Sequence, residues 1–241
     1  MKLILFRWRQ QKAWALTASW AAILAAALTT PAQAATEARS VTAFDEVVFA
    51  VAGEVSIEQG PRETLTLEAE PAVLRKITTE IHGRRLLIGL APGRIETQQP
   101  IRIKLAVRTL RAFESRTAGA ISIGPLNSEA LALVLAGGGS IRLDRLENAL
   151  SLDVRITGAG DVAVGGGKVT AQKVAITGMG TYAAPKLVSE RADVAIDGNG
   201  DVQLAASKTL AVRIGGVGHV RYHGNPAVTR SIQGIGSIEK D

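Results

Sequence analysis

The chain has 241 residues, with 28 basic against 22 acidic, a formal net charge of +6, no cysteine and only 4% aromatic residues. The first 34 residues carry four basic and no acidic side chains, so the remainder holds 24 basic and 22 acidic residues and a net charge of +2. That balance gives no electrostatic case for nucleic acid, which requires a concentrated basic face. The missing cysteine excludes disulfide staples, thiolate metal sites and a lipidated anchor.

Residues 1–34 read as a signal peptide. Lys2, Arg7, Arg9 and Lys12 form a positive start, Ala13 to Leu28 is apolar apart from Thr17 and Ser19, and Pro31-Ala32-Gln33-Ala34 supplies a small-x-small cleavage pattern. The apolar run is short for a bilayer span. Cleavage after Ala34 leaves no integral membrane segment and predicts a periplasmic or secreted protein. Trp8, Trp14 and Trp20 depart with the signal, leaving Phe44, Phe49, Phe113, Tyr182 and Tyr222 as the aromatic supply. About 205 residues remain, enough for a single domain over 35–241.

Within it, residues 42–117 alternate apolar and polar side chains without a fixed repeat, as in Val55-x-Ile57, Leu65-x-Leu67, Leu86-x-Ile88 and Ile101-x-Ile103-x-Leu105-x-Val107. Strict alternation marks strands buried on one face. The spacing predicts one helical turn, over Pro71 to Thr79, with proline at its start. The rest of this stretch reads as two or three less regular coils with longer loops.

Residues 118–238 are regular. Gly-x-Gly pairs end at Gly139, Gly160, Gly180, Gly200, Gly218 and Gly236, with a degenerate member at Gly119, giving steps of 20, 21, 20, 20, 18 and 18 residues. Before each pair runs an alternating strand, such as Leu131-x-Leu133-x-Leu135, Leu152-x-Val154-x-Ile156 or Leu210-x-Val212-x-Ile214, and after it a second, such as Val162-x-Val164 or Val202-x-Leu204. A unit of two short strands cannot bury its own apolar side chains, and stacking identical units in register removes that exposure. The pattern therefore predicts an all-β fold, a parallel β-helix solenoid with coils of about 20 residues. Glycine belongs at corners that need a positive φ or where stacked backbones leave no room for a Cβ.

Phe44-Asp45-Glu46-Val47, Val55-Ser56-Ile57-Glu58-Gln59-Gly60 and the repeated units Thr157 to Val162 and Asp197 to Val202 together resemble the GIN domain, a domain of unknown function described as the head of auto-transporter adhesins. The resemblance spans about residues 42–238. It implies a right-handed β-helix and a role in surface adhesion.

No catalytic, cofactor-binding or metal-ligating residue is assigned from the sequence. Gly158-x-Gly160 lacks the third glycine and the following helix of a phosphate loop. Asp161 and Asp201 have Ser140, Thr181, His219 and Ser237 as counterparts, so no calcium-binding column of carboxylates forms. His219 and His223 share a strand face with Arg221, about 13 Å apart on an extended strand, too far for one zinc ion. Asp153 and Asp193 stand two coils apart, about 10 Å by the layer spacing, and carry the alternative of a carbohydrate-active lyase or hydrolase. The favoured expectation is a non-catalytic, cofactor-free binding or scaffold module of the cell envelope, or a surface adhesion module, with an envelope protein or glycan as partner. The last coil reaches Ile238, which sets the expectation of a homo-oligomer or partner contact through the C-terminal coil. N-terminal sequencing of the exported protein should begin at Ala35, and a start at Met1 would remove the export signal from this reading.

Overall fold

A strand with every second residue apolar is stable when that face meets others like it, and here the stacked coils supply them. The computed structural model describes residues 34–93, 97 and 99–241. The signal peptide expected over 1–34 falls outside them, apart from Ala34. The N-terminal part forms β1 (Ala35–Arg39), β2 (Glu46–Phe49), β3 (Gly53–Gln59), β4 (Thr64–Ala69), the one-turn helix α1 (Pro71–Leu74), β5 (Ile77–His82), β6 (Arg85–Leu90) and β7 (Arg102–Val107). Next come β8 (Ala112–Ser115), β9 (Gly119–Ile123), β10 (Leu126–Asn127), β11 (Ala130–Leu135), β12 (Gly138–Leu143), β13 (Leu146–Ile156) and β14 (Ala159–Val164). The chain ends in β15 (Gly167–Ile176), β16 (Met179–Ile196), β17 (Asn199–Ile214), β18 (Val217–His223), β19 (Ala227–Ile232) and β20 (Ile235–Lys240).

From β8 onward the coils follow one another in sequence and pair in parallel, which makes the fold a parallel β-solenoid. On the side before the glycine corner, Leu133, Val154, Val174, Val194 and Val212 lie in one inward column. On the side after it, Ile141, Val162, Tyr182, Val202, Val220 and Ile238 form another. Full burial of each such side chain contributes about 1.5–3 kcal/mol. The coil also has a third, short side that the sequence pattern does not display, where Leu126, Leu146, Gly167 and Leu187 stack in register.

The second glycines of the pairs stand in one register column from Gly119 to Gly236, and Gly53 extends it by one layer. A Cβ on Gly178 would overlap the carbonyl oxygen of Gly158, and one on Gly198 that of Gly178. Close approach of stacked corners is therefore the main reason for glycine. Within the second-glycine column, a left-handed φ is found at Gly139, at 104°, and at Gly160, at 156°.

The stretch before β8 does not run as successive coils. The layer β2–β3 lies between β8–β9 and β6–β7, so the chain between β3 and β8 leaves the stack and returns on its outer side. There β4 runs antiparallel to β7, β1 antiparallel to β4, and β5 antiparallel to β6. These reversed strands close the N-terminal end of the parallel ladder. Arg39 on β1 fastens the excursion, donating to the Ile77 carbonyl at 2.7 Å, to Thr79 Oγ1 at 2.7 Å and to the Leu74 carbonyl at 3.0 Å. Of the helical turn expected over Pro71 to Thr79, only Pro71–Leu74 is helical, with Pro71 in its first turn, and Ile77 to Thr79 belong instead to β5, where they pair with Leu90 to Ile88 of β6.

Polar side chains are also built into this apolar frame, and two sets of them join layers. Asp45, 2% exposed, accepts from Arg84 Nε at 3.0 Å and from Arg84 Nη2, and its backbone bonds to Arg84 and Arg111, so it ties the β2 layer to both neighbours. The Arg84 hydrogen bond holds its carboxyl below the usual carboxylate range, against the opposing effect of burial. Deeper in the stack, Tyr182 Oη donates to Gln172 Oε1 at 3.0 Å, and Gln172 Nε2 donates to Ser189 Oγ at 2.8 Å and to the Ala205 carbonyl at 3.1 Å. Burial pushes the Tyr182 phenol up. This network sits where the coil shortens: residues 185–187 have no counterpart in the next layer, because the register passes from Ala184↔Leu204 to Val188↔Ala205.

Gly178→Ala should lower stability in urea by about 3 kcal/mol or more, since backbone must shift, whereas Gly60→Ala, facing open space, should change it by less than about 0.5 kcal/mol. Tyr182→Phe should cost about 1–3 kcal/mol by removing the phenol donor from buried Gln172 Oε1. The Asp45 carboxyl titrates lower folded than unfolded, so its stabilisation is complete above about pH 4 and is lost as pH falls through the folded value. Asp45→Asn should therefore be destabilised near pH 7, and its gap to wild type should close on acidification.

Candidate functional site

Outward side chains stack as regularly as inward ones, because register brings equivalent residues of neighbouring coils to about 4.8 Å. On the side after the corner, Ser140, Asp161, Thr181, Asp201, His219 and Ser237 make one outward column. Arg142, Ala163, Ala183, Gln203, Arg221 and Glu239 make the next. Short Ala183 beside long neighbours leaves a hollow of about 320 Å³, walled by Thr181, Asp201, Gln203, His219, Arg221, Ser237 and Glu239. His219 Nδ1 lies 3.0 Å from Ser237 Oγ, and Ser237 Oγ donates to Glu239 Oε1 at 2.8 Å. Three of these walls, Asp201, His219 and Ser237, sit in consecutive coils and are the residue types of a nucleophilic triad. The Ser237 proton is directed to Glu239, however, and no hydrogen bond joins Asp201 to His219 among the described residues. The chemistry on offer is hydrogen bonding from mixed donors and acceptors.

Asp161 and Asp201 are separated by Thr181, whose backbone N–H donates to Asp161 Oδ1 at 3.1 Å. His223 ends β18, the strand of His219, with Nε2 3.7 Å from Asp241 Oδ2. Among the described residues, no three His, Asp or Glu side chains are grouped to hold a metal ion.

On the side before the corner, Asp153, Lys173 and Asp193 form one outward column. Lys173 therefore stands between the two carboxylates, and Arg155 donates to Asp153 at 2.8 Å. Beyond them Ala195 and Ala211 floor a shallow depression of about 280 Å³ edged by Lys173, Asp193, Arg213 and Thr229. Arg213 donates to Asp197 at 2.9 Å. The sequence places Asp153 and Asp193 correctly but does not single out the two small-residue floors, because an outward alanine looks neutral until its neighbours in adjacent coils are known.

The solved structures show the same fold. A Bacteroides fragilis protein described as a "putative adhesin" aligns with a TM-score of 0.80 at 19% identity, covering 87% of this chain and 97% of that one. A Parabacteroides distasonis protein with the same description gives 0.68 at 19% identity, over 88% and 98% of the two chains. A second from Parabacteroides distasonis, described as a "putative lipid binding protein", gives 0.64 at 20% identity over 88% and 98%. At these identities the likeness speaks for the fold alone. No curated protein matches the sequence. No helix among the described residues is long and apolar enough to cross a membrane. The family model described as "Putative auto-transporter adhesin, head GIN domain" matches residues 43–226, and the chain belongs to that family.

Proposed function

We propose that the chain is a non-catalytic adhesion or scaffold module of the bacterial cell envelope that binds an extended, hydroxyl-rich partner, a glycan, along its stacked strand faces. The observation that carries this reading is the hollow floored by Ala183. It gathers carboxylate acceptors (Asp201, Glu239) and donors (Gln203, Arg221) from successive coils onto one open, flat surface. Repeating polar groups at the layer spacing suit a ligand that itself repeats, and a shallow site of this kind holds it by many weak contacts. Membership of the adhesin-head family supports an envelope-exposed setting.

The enzyme reading rests on Asp153 and Asp193. Their separation of about 10 Å by layer spacing lies just beyond the 6.5–9.5 Å of inverting glycosidases. Lys173 fills the place a substrate bond would occupy. The geometry favours recognition.

Binding of the exported protein to immobilised envelope polysaccharides tests the proposal. Arg221→Glu should weaken binding about tenfold, in line with loss of one charged hydrogen-bonding group, while Lys173→Glu on the other side should leave it unchanged. Appearance of new reducing ends or unsaturated products from the same polysaccharides would instead establish catalysis.

A further inference from the structure

Each of the strands β11 to β18 is paired on both sides, whereas β19 pairs only with β17 and β20 only with β18 among the described residues. In the preceding coil the Ile214 carbonyl accepts from the backbone N–H groups of Gln233 and Gly234, and the Gly216 carbonyl from that of Ile235. The corresponding carbonyls of Ile232 and Gly234 have no such donor among the described residues. An edge of this kind is a template for a further strand.

The side chains at this edge are selective. In the inward column Phe113, Leu133, Val154, Val174, Val194 and Val212 are followed by Arg230. Arg230 is exposed and forms no ion pair among the described residues. Two positions to either side, half-buried Val228 and 44% exposed Ile232 continue the flanking inward columns after Leu210 and Ile214 and keep their apolar character. A strand laid on β19 in register therefore meets apolar, cationic and apolar positions in turn.

A second copy does not answer this pattern. Two identical edges meeting about a two-fold axis would bring Arg230 against Arg230 in the register centred on it, and against apolar Val228 or Ile232 in the registers on either side, so in none of these does a carboxylate meet it. The opposite end of another copy is stepped, with one strand, β5, outside β6 but two, β4 and β1, outside β7, so it cannot seat on β19 and β20 together.

We propose that β19 is a docking edge for an extended segment of a different protein with an apolar-x-acidic-x-apolar pattern, its carboxylate lying over Arg230. Backbone pairing supplies the attachment, and the charge pair supplies choice of partner. The edge lies apart from the glycan-facing hollow, so failure of glycan binding leaves this proposal standing.

The test uses the exported full chain and labelled peptides copying residues 207–216, which carry the layer pattern of β17, with Val212→Glu or Val212→Lys. In fluorescence anisotropy the glutamate peptide should bind about tenfold tighter than the lysine peptide, less so at high salt, and Arg230→Glu should reverse the order. Because Arg230 is exposed, an unchanged thermal midpoint should accompany the reversal. Absence of glutamate-peptide binding at about 1 mM, or the same preference in both proteins, overturns the proposal. Sedimentation showing wild-type dimers that peptide dissociates would assign the edge to a second copy and overturn it as well.

Discussion

The structure depends on how closely one coil can lie on the next. Parallel pairing sets a layer spacing near 4.8 Å, and at a sharp corner that spacing brings the backbone of one coil against the carbonyl oxygen of the coil before. A Cβ at Gly158, Gly178, Gly198, Gly216 or Gly234 would occupy the space that oxygen already fills. Glycine at the bend is therefore the condition for the strands on either side to keep register, and register is what puts Val on Val and Ile on Ile through the core. The hydrophobic columns supply most of the stabilisation, but they can align only because the corners allow it.

The same constraint shapes the surface. Once register is set, each outward side chain has a fixed neighbour above and below, so charges and small residues form columns that no single strand reveals. Lys173 between Asp153 and Asp193 relieves repulsion along its column. Ala183 beside Gln203 opens a hollow for the same reason of adjacency. A solenoid thus builds a repeating polar face, and the glycan binding proposed above rests on that repetition.

Departures from the repeat are concentrated at three places. At the N-terminal end, antiparallel strands close the ladder and Arg39 holds the excursion in place. Between the coils ending at Ile196 and Ile214, the shortening of the third side is filled by the Tyr182, Gln172 and Ser189 hydrogen bonds, which satisfy one another inside the core. At the other end Arg230 interrupts an otherwise apolar column.

Local alternation and glycine spacing were enough to read the β-solenoid over residues 118–238, because period-two burial and backbone close approach are both written residue by residue. Gly53 shows the limit: it belongs to the same ladder as Gly119, but the 65 residues between them hide the repeat until the chain is seen to leave the stack and return. The non-sequential order of the first layers, the third side of the coil and the polar network at Gln172 were decided by tertiary packing, since each depends on which distant segment arrives as a neighbour. The candidate hollow divides in the same way. His219, Ser237 and Asp201 were visible as outward residues, but their convergence over Ala183 exists only when four successive coils are laid in register, and that vertical adjacency has no local signature in the chain.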